Sequence, residues 1–394
     1  MITTIGTYLP TWSGPGGARA AGLDEDALTL AVAAGRAALG EGGSDQATRV
    51  VVVSRELPLL DGDNAAALLA GLDVPSDVDV VERLGGGPST MDSLLAATPG
   101  TLVIGVDLAG HAGAAAGWVG PEARGGELSP RGRVHRSLPL HVRGQDAVVY
   151  DDDDPRLQRE RGLRASLAVA DLSGKPVAIA GLRRREATAY CQGEVPELPT
   201  LGSSAPLFAL AALADTAASG IVGAVEQASL VAAWWDPGDV VVHRDEASPQ
   251  PVPARRMAPG PDIKFAATAY DRAFDAKLRW QAGRCPSCGT LALPPRHRCL
   301  TCGEEGTATP VALPRTGTVY TLTTVHVPVP GLASPYSLAV VQLDGVDVRS
   351  LVQVTDDGGD TTDIDDRGRL VLRRVAVRSG VPDYGYAFVP EKRN

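Results

Sequence analysis

The first 236 residues alternate short apolar runs of strand type with longer runs of helical period. The strand-type runs include TRVVVVSRE, DVDVVERL and TLVIGVDL, and the helical ones include DEDALTLAVAAGRAALG and APLFALAALADTAAS. Apolar residues that recur every three to four positions form one face of a helix, whereas short β-branched runs form strands. The alternation restarts after DDDD at 151–154, and two successive sets predict a duplicated, layered α/β fold.

The pattern changes after the tryptophan pair at 234–235. From 248 to 261 the chain is rich in proline and shows no apolar periodicity, which is typical of a semi-extended linker. Beyond it, TGTVYTLTTVHV, SLAVVQL, VRSLVQV and RLVLRRVAV follow at short spacing and predict a small β-barrel or sandwich. We therefore predict a first domain at 1–243, a linker at 244–262 and a second domain at 263–394.

Composition and charge narrow the classes of function. The formal net charge of −10 argues against a general nucleic-acid-binding protein. No apolar run reaches the length of a membrane span, and MITTIGTYLPTW lacks the basic and apolar regions of a secretion signal. Four of the five cysteines lie in CxxC pairs, which fits metal binding in a reducing compartment better than disulfides. We expect a cytoplasmic protein that binds neither nucleic acid nor membrane.

Two CxxC pairs separated by ten residues form the most specific motif in the chain. Each pair is followed by a glycine, Gly289 or Gly303, which suits a tight metal-binding knuckle. Four thiolates form the closed tetrahedral site of a structural zinc ion, and two pairs at this spacing argue against a redox role. His297 lies inside the loop and is expected to be a surface residue. The predicted ligands are Cys285, Cys288, Cys299 and Cys302.

The surroundings of the cysteines resemble the DUF35 family over about 265 to 390. The residues that carry the resemblance are FDAKLRWQAGRCPSCGTLALPPRHRCLTCG, TGTVYTLTTVHV, PYSLAVVQL and the terminal YAFVP. The resemblance implies a helical lead-in, a rubredoxin-like zinc ribbon at about 277–306 and an OB-fold β-barrel at about 307–390. Members of the family accompany thiolase-fold enzymes that act on acyl-CoA, where they bridge two enzymes or complete the acyl-CoA channel.

The first domain resembles the thiolase superfamily, in particular its 3-hydroxy-3-methylglutaryl-CoA synthase and ketosynthase III branch. RLGGGPSTMDSLLAA is similar to the family's nucleophile turn and helix, AGAAAGWVG to its GDGA strand and LGSSAPLFALAAL to its GN-containing stretch. The resemblance implies a thiolase-like fold over roughly 1 to 236. The positions of the family's catalytic Cys, His and Asn are occupied by Leu84, Gly181 and Ser203, so all three catalytic groups are predicted to be lost.

Other residues in this domain are weaker candidates for chemistry. Cys191 is the one thiol outside the cysteine pairs and is interpreted as a buried cysteine. Ser89 and Thr90 are interpreted as capping residues at a helix start. The acidic run at 151–154 is interpreted as a solvated helix lead-in rather than a metal site. Arg183, Arg184 and Arg185 could contact the phosphates of coenzyme A or form a solvated helix face.

Together these features predict a non-catalytic scaffold and acyl-CoA-channel subunit of a thiolase- or ketosynthase-type acyltransferase complex. The resemblance implies a separate Cys-bearing thiolase-fold partner and an acyl-CoA or acyl-carrier substrate. It also implies a homodimer within a hetero-oligomer, paired through the strand TLVIGVDL at 101–108. One alternative is a thiolase-fold aldolase that uses Tyr8, Tyr150 or Tyr190. The other is an acyl-CoA-binding regulatory protein.

Overall fold

The computed structural model describes residues 1–40, 42–122, 124–144, 148–152, 154–257, 264–306, 308–327, 333–358 and 362–391. Within these residues the chain folds into two α/β layers followed by a zinc-ribbon-like segment and a five-stranded barrel. The layered α/β architecture predicted from the alternating runs is therefore confirmed.

The helices are α1 Ala27–Leu39, α2 Ala65–Leu72, α3 Gly87–Leu95, α4 Pro155–Leu157, α5 Ala165–Ala170, α6 Arg184–Ala187, α7 Ala205–Asp215 and α8 Ala267–Leu278. A π-helical stretch, Gln158–Arg164, joins α4 to α5, and short 3-10 turns lie at Pro15–Gly17 and Ser44–Gln46. Helix α1 begins where Asp26 accepts hydrogen bonds from the backbone of Leu28 and Thr29, and Thr29 reciprocates as in a capping box. The acidic residue before the apolar run therefore sets the start of this helix.

The strands of the first 257 residues are β1 Thr4–Leu9, β2 Trp12–Ser13, β3 Arg19–Ala20, β4 Arg49–Ser54, β5 Asp79–Leu84, β6 Thr101–Asp107, β7 Gly113–Val119, β8 Glu127–Val134, β9 His141–Arg143, β10 Val149–Asp151, β11 Ala178–Ala180, β12 Gly220–Glu226, β13 Ser229–Asp236, β14 Val241–Glu246, β15 Gln250–Pro251 and β16 Arg256–Met257. Two sheets dominate: a six-stranded sheet in the order β14-β1-β7-β6-β4-β5 and a four-stranded sheet in the order β11-β12-β13-β8.

Helices α3 and α7 lie between the two sheets and contact strands of both. Their apolar side chains, including Met91, Leu94, Leu207 and Leu210, are buried in one cluster with residues of both sheets. Helix α1 covers the opposite face of the six-stranded sheet. It packs closely there: a Cβ atom added at Gly6 would lie only 2.3 Å from the backbone nitrogen of Ala38, so the helix approaches the strand where the side chain is absent. The contacts of α3 place its start between the two sheets.

Strand β6 occupies the interior of the six-stranded sheet. It pairs with β4 on one side and β7 on the other, and six of its seven residues are buried. The prediction that its edge is free to pair with a second copy is therefore wrong. A run that is apolar on both faces marks a central strand, whose two edges are both taken. The strand at the outer edge of the sheet is β5.

The predicted linker carries more structure than its composition suggested. Strand β14 extends past residue 243 and pairs in parallel with β1 along its whole length, so it belongs to the first domain's sheet. β15 pairs with β2, and β16 pairs with a short strand at Ala333–Ser334 in the second domain. Long-range pairing thus outweighs the weak local preference of a Pro-rich segment. Residues 258–263 lie outside the described residues.

The C-terminal strands are β17 Gln281–Arg284, β18 Leu291–Ala292, β19 Thr309–Ala312, β20 Thr316–Val325, β21 Ala333–Ser334, β22 Tyr336–Leu343, β23 Arg349–Gln353, β24 Arg367–Arg378 and β25 Val381–Pro390. β17 to β19 form a small sheet beside the cysteine pairs, and five strands form a sheet in the order β23-β22-β20-β24-β25. A bridge between Val354 and Phe388 brings the two ends of that sheet together. The predicted barrel is therefore confirmed.

The two domains share one hydrophobic core. Buried side chains of α1 and α2, such as Leu28 and Leu68, belong to the same cluster as Leu370, Leu372 and Phe388 of the barrel. A Cβ atom on Gly71 would lie 3.0 Å from Leu372, which shows how closely the barrel packs on α2. A continuous apolar interface of this kind fixes the barrel on the first domain.

Candidate functional site

The cysteine cluster is built by two similar knuckles. In the first, the backbone N–H of Gly289 donates to the carbonyl of Cys285 at 3.0 Å, and in the second Gly303 donates to Cys299 at the same distance. Both glycines have positive φ angles, 76° and 75°, which a residue with a side chain rarely adopts. The glycine after each CxxC pair therefore lets the loop fold back and aim both sulfurs at one point.

The four sulfurs of the cluster fit a tetrahedral zinc ion. All of them lie within 4.8 Å of one another, with 3.7 Å between Cys285 and Cys302 and 3.6 Å between Cys288 and Cys299. A tetrahedron of Zn–S bonds has sulfur–sulfur edges of about 3.8 Å, given bonds of about 2.3 Å. Four protein ligands complete the coordination sphere, so the site suits a structural and not a catalytic metal.

A cleft of about 310 Å³ separates the cluster from the barrel. Leu291 and Leu293 line it on the ribbon side, and Val348 and Arg349 line it on the barrel side. The predicted surface residue His297 is exposed and also faces this cleft. The guanidinium carbon of Arg349 lies 3.6 Å from the centre of the Tyr320 ring. This stacking places one positive charge on the barrel side of the cleft.

The glycine turn between β5 and α3 brings the predicted catalytic positions close together. Ser203 Oγ donates to the carbonyl of Gly85 at 2.8 Å, directly beside Leu84. A Cβ atom on Gly181 would lie 2.2 Å from the carbonyl oxygen of Val225, whose neighbour Glu226 sits over the turn. The loop of Ser203 thus contacts the turn directly and Gly181 lies against the end of β12, and none of the three positions carries a thiol or an imidazole.

The side chains at these positions could not be restored without rearrangement. Gly181 has a φ angle of +101°, and its Cβ would collide with backbone, so the present backbone excludes a histidine there. Leu84 is 79% exposed at the end of β5 and does not point into the layer between the sheets. At Gly181, therefore, the backbone conformation as well as the residue type differs from what a histidine would require.

Glu226 fills the space in front of α3. A Cβ atom on Gly86, the residue preceding α3, would lie 2.6 to 2.8 Å from the carboxylate of Glu226. The same carboxylate forms an ion pair with Arg55, which follows β4. A carboxylate is favoured at a helix N-terminus by the helix dipole. Glu226 was missed in the sequence, although a lone acid between two buried strands, GIVGAV and SLVAAWW, could have drawn attention to it.

Asp107 anchors the loop that carries Ser203. Its carboxylate accepts hydrogen bonds from the backbone N–H groups of Ser203 at 2.6 Å and Ser204 at 2.9 Å, and from the hydroxyl of Ser204 at 2.6 Å. Burial raises the pKa of Asp107 above its usual range, and the bonds from Ser204 and Ser203 oppose that shift. Ser203 is therefore held in place by a buried carboxylate and serves the packing of the loop.

The hydroxyls at the start of α3 do not cap it. No side chain caps this helix, and its preceding residue is Gly86. Thr90 Oγ1 instead donates to the carbonyl of Ser203 at 2.7 Å and ties α3 to the neighbouring loop. The capping role predicted for Ser89 and Thr90 is therefore wrong. The helix starts at Gly87, one residue before Pro88, so both hydroxyl-bearing residues lie within the helix and not at its cap position.

Cys191 is buried, as its sequence context predicted. It packs among apolar side chains that include Ile179, Val195 and Val225. Burial raises the pKa of its thiol to about 11, so little thiolate forms near neutral pH. This environment suits a packing role and not a nucleophile.

The three tyrosines of the first domain lie in separate places. Tyr8 is buried at the interface with the barrel, Tyr150 is 58% exposed on β10, and Tyr190 packs beside the cluster around Cys191. The described residues therefore bring no tyrosine pair together near the glycine turn.

The remaining charged candidates lie on the surface. Arg183, Arg184 and Arg185 are all exposed at or beside α6, and Arg184 pairs with Glu194 at 3.4 Å. In the acidic run, Asp154 caps α4 by accepting from the backbone of Arg156 and Leu157, which supports the helix lead-in interpretation. Residue 153 lies outside the described residues. Among the helices that the structure describes, none has the length and apolar character required to cross a membrane.

Comparison with known proteins places the C-terminal part of the chain. The rubredoxin-like zinc ribbon domain of ChsH2 matches residues 277–308, and the C-terminal OB-fold domain of ChsH2 matches residues 310–373. A DUF35 domain-containing scaffold protein of Methanocaldococcus jannaschii is 32% identical over 111 residues, which are 27% of this chain and 78% of that protein. These matches confirm the resemblance drawn from the cysteine pairs and the strands that follow them.

Several solved structures are similar to part of the chain. A 3-oxoacyl-(acyl-carrier-protein) synthase III is 14% identical, covers 60% of this chain and 98% of its own, and gives a TM-score of 0.42. An OleA variant of Xanthomonas campestris is 14% identical, with 60% and 97% covered and a TM-score of 0.49. A chain of the Ltp2-ChsH2(DUF35) aldolase is 26% identical, with 34% and 98% covered and a TM-score of 0.26. Each likeness spans nearly all of the known chain but only part of this one.

Proposed function

Because the chain belongs to the family of DUF35 domain-containing proteins, we propose that it is a non-catalytic scaffold subunit of a thiolase- or ketosynthase-type complex. In this proposal its first domain is a thiolase-like pseudoenzyme. A separate thiolase-fold partner supplies the cysteine and acts on an acyl-CoA or acyl-carrier thioester. The present chain contributes structure to that complex and part of the acyl-CoA channel.

The ion pair of Glu226 and Arg55 at the glycine turn is the observation that carries the proposal. Acyl transfer needs a nucleophile with open space in front of it and donors for the developing oxyanion. Here a carboxylate occupies that space and Leu84, Gly181 and Ser203 offer no thiolate or imidazole. A negative charge at this point would also repel an oxyanion. The turn is therefore suited to packing and not to chemistry.

The second domain would provide the docking and channel functions. Its cysteine cluster fits a structural zinc ion, which would keep the ribbon and the cleft beside it in shape. Arg183, Arg184 and Arg185 are exposed and remain our proposed contacts for the phosphates of a coenzyme A thioester. In this proposal the phosphates of coenzyme A bind at α6, away from the glycine turn between β5 and α3.

We further propose that a homodimer within the complex pairs through β5 and not through β6. One side of β5 pairs with β4, while its other side has no strand partner among the described residues. Val81 and Leu84 on this strand are exposed. An uncovered edge with apolar side chains is prone to pair with another chain, and a two-fold axis would join two copies of it.

Activity measurements on the purified chain, alone and with a partner, test the proposal. Alone, it should release no free thiol from acetyl-CoA or acetoacetyl-CoA above background. Co-expressed with a thiolase encoded beside it, it should elute with that thiolase in size-exclusion chromatography, and the thiolase should lose activity without it. Thioester cleavage by the isolated chain that Glu226→Gln abolishes would instead make it an enzyme. Separate elution with a fully active partner would exclude the scaffold role.

A further inference from the structure

A buried cluster of ionisable side chains joins the two domains of the chain. Arg373 on β24 inserts into the first domain with its side chain only 2% exposed. Its guanidinium reaches Tyr8 at 3.1 Å, Asp356 at 2.7 Å, Glu25 at 3.3 Å and Asp24 at 3.8 Å. We call these five residues the latch. They connect the first strand and the start of α1 to the barrel.

The latch contains more acid than base. Asp24, Glu25 and Asp356 face one guanidinium, and the side chains of Glu25 and Asp356 are 0% and 7% exposed. The other arginines near the latch interact with carboxylates outside it: Arg19 with Glu246, and two more in ion pairs. These pairs are Arg374 with Asp26, which also accepts from Tyr384, and Arg369 with Asp245. If every carboxyl were ionised, the buried site would hold uncompensated negative charge, which is costly.

Glu25 is the group that best relieves this imbalance. The hydroxyl of Tyr8 and the backbone N–H of Gly22 both donate to its carboxylate. Burial nevertheless raises the pKa of Glu25 to about 7, and Arg373 opposes the shift only in part. Burial raises the pKa values of Asp356 and Asp26 as well. All of these shifts have the same sign, so the docked form binds protons more tightly than a form with the cluster in water.

We propose that the latch makes the docking of the barrel on the first domain proton-linked, so that the interface takes up a proton when it closes and loosens as the pH rises. Tyr8 and Arg373 also line a cavity of about 410 Å³ at the domain interface. This inference does not depend on the proposed scaffold function.

The direction of the effect follows from the raised carboxyl pKa. Below the ordinary glutamic acid value of 4.5, Glu25 is protonated in both the docked and the exposed form, and its contribution to docking is complete. Between 4.5 and about 7 only the docked form keeps the proton, so docking weakens as the pH rises. Above that window both forms are ionised and the loss is complete.

Hydrogen exchange of the full chain at several pH values, corrected for intrinsic rates, tests the latch. Amides of β24 and of the segment 22–30 report opening of the interface. For one linked proton, the opening constant of the wild type should rise by up to about tenfold per pH unit between pH 5 and 7 and then level off. Glu25→Gln, which is neutral at every pH, should largely remove the slope.

Asp245→Asn is the matched control, because Asp245 also bridges the domains but lies outside the latch. It should weaken docking at all of these pH values and keep the wild-type slope. If Glu25→Gln does not fold, Asp356→Asn also removes one excess charge and should reduce the slope. A wild-type opening constant that does not change with pH, or a slope that survives in both latch variants, would overturn the proposal.

Discussion

The cysteine cluster and the glycine turn are both short loops in which glycine shapes the backbone. They differ in what lies at the centre of each loop. In the cluster, four sulfurs lie within 4.8 Å of one another, an arrangement that fits a metal cation. In the turn, the space in front of α3 is filled by Glu226, whose charge is already matched by Arg55. The cluster thus converges four potential ligands on one point, whereas the turn has its approach side occupied by an ion pair.

Removal of a metal ligand should have the largest effect on this comparison. Cys288→Ser should abolish stoichiometric zinc and expose the ribbon to proteolysis, since structural zinc contributes about 10–16 kcal/mol to folding in zinc-finger peptides. Cys191→Ala, at the thiol outside the cluster, should keep one zinc per chain. Elemental analysis and limited proteolysis measure both outcomes. One zinc retained by Cys288→Ser would contradict the assignment.

Asp107 should matter more to the loop beside the turn than any hydroxyl there. Asp107→Ala leaves two buried N–H groups without an acceptor, and we expect a loss of about 3 kcal/mol or more in the free energy of unfolding. Glu56→Ala is the control, because Glu56 accepts from the backbone of Leu108 and Ala109 in a more exposed place, and should cost less. Urea denaturation gives both values. Equal losses would show that burial is not the deciding factor.

Gly86→Ala tests whether Glu226 really fills the turn. The new methyl group would lie within 3 Å of the carboxylate, so a cost of about 1–3 kcal/mol in the free energy of unfolding is expected. In the double variant with Glu226→Ala the same change should cost less, with a coupling of about 0.5–3 kcal/mol between the two sites. Strict additivity of the two single changes in urea denaturation would mean that the side chains do not meet.

The smallest effect should be seen at Cys191. Because burial raises its thiol pKa to about 11, only about one molecule in a thousand carries the thiolate at pH 8. Labelling with iodoacetamide should therefore be slow in the native protein and fast in urea. The extent of labelling is measured by mass spectrometry of the peptide around residue 191, with the zinc-loaded chain as the sample. Rapid native labelling would reopen the possibility of a nucleophile in the first domain.

Local pattern was enough for the elements that depend on near neighbours. The cysteine ligands span eighteen positions from Cys285 to Cys302, and their geometry is set by hydrogen bonds within each knuckle. Helix α1 begins at its acidic cap for the same reason. Strand and helix types in both domains also followed from apolar period. In each case the residues that determine the structure lie within a few turns of one another.

The positions of these elements within the tertiary structure could not be predicted from local pattern. The sequence showed that 101–108 is a buried strand but not that β4 and β7 occupy both its edges. The prolines at 248–261 marked 244–262 as a linker, but β14 extends into that range because it pairs with β1. It gave no reason to place Glu226 over Gly86, because these residues meet only when the two sheets close on α3.

The sequence by itself therefore determined the parts: a four-cysteine ribbon, a β-rich second domain and a first domain of alternating strands and helices. The tertiary structure alone decided which of these parts touch. Arg373 meets Tyr8 across 365 positions of chain, and their contact depends on the packing of the barrel against α1 and α2. Such contacts arise from burial and charge summed over many distant residues, a quantity that no short stretch of sequence contains.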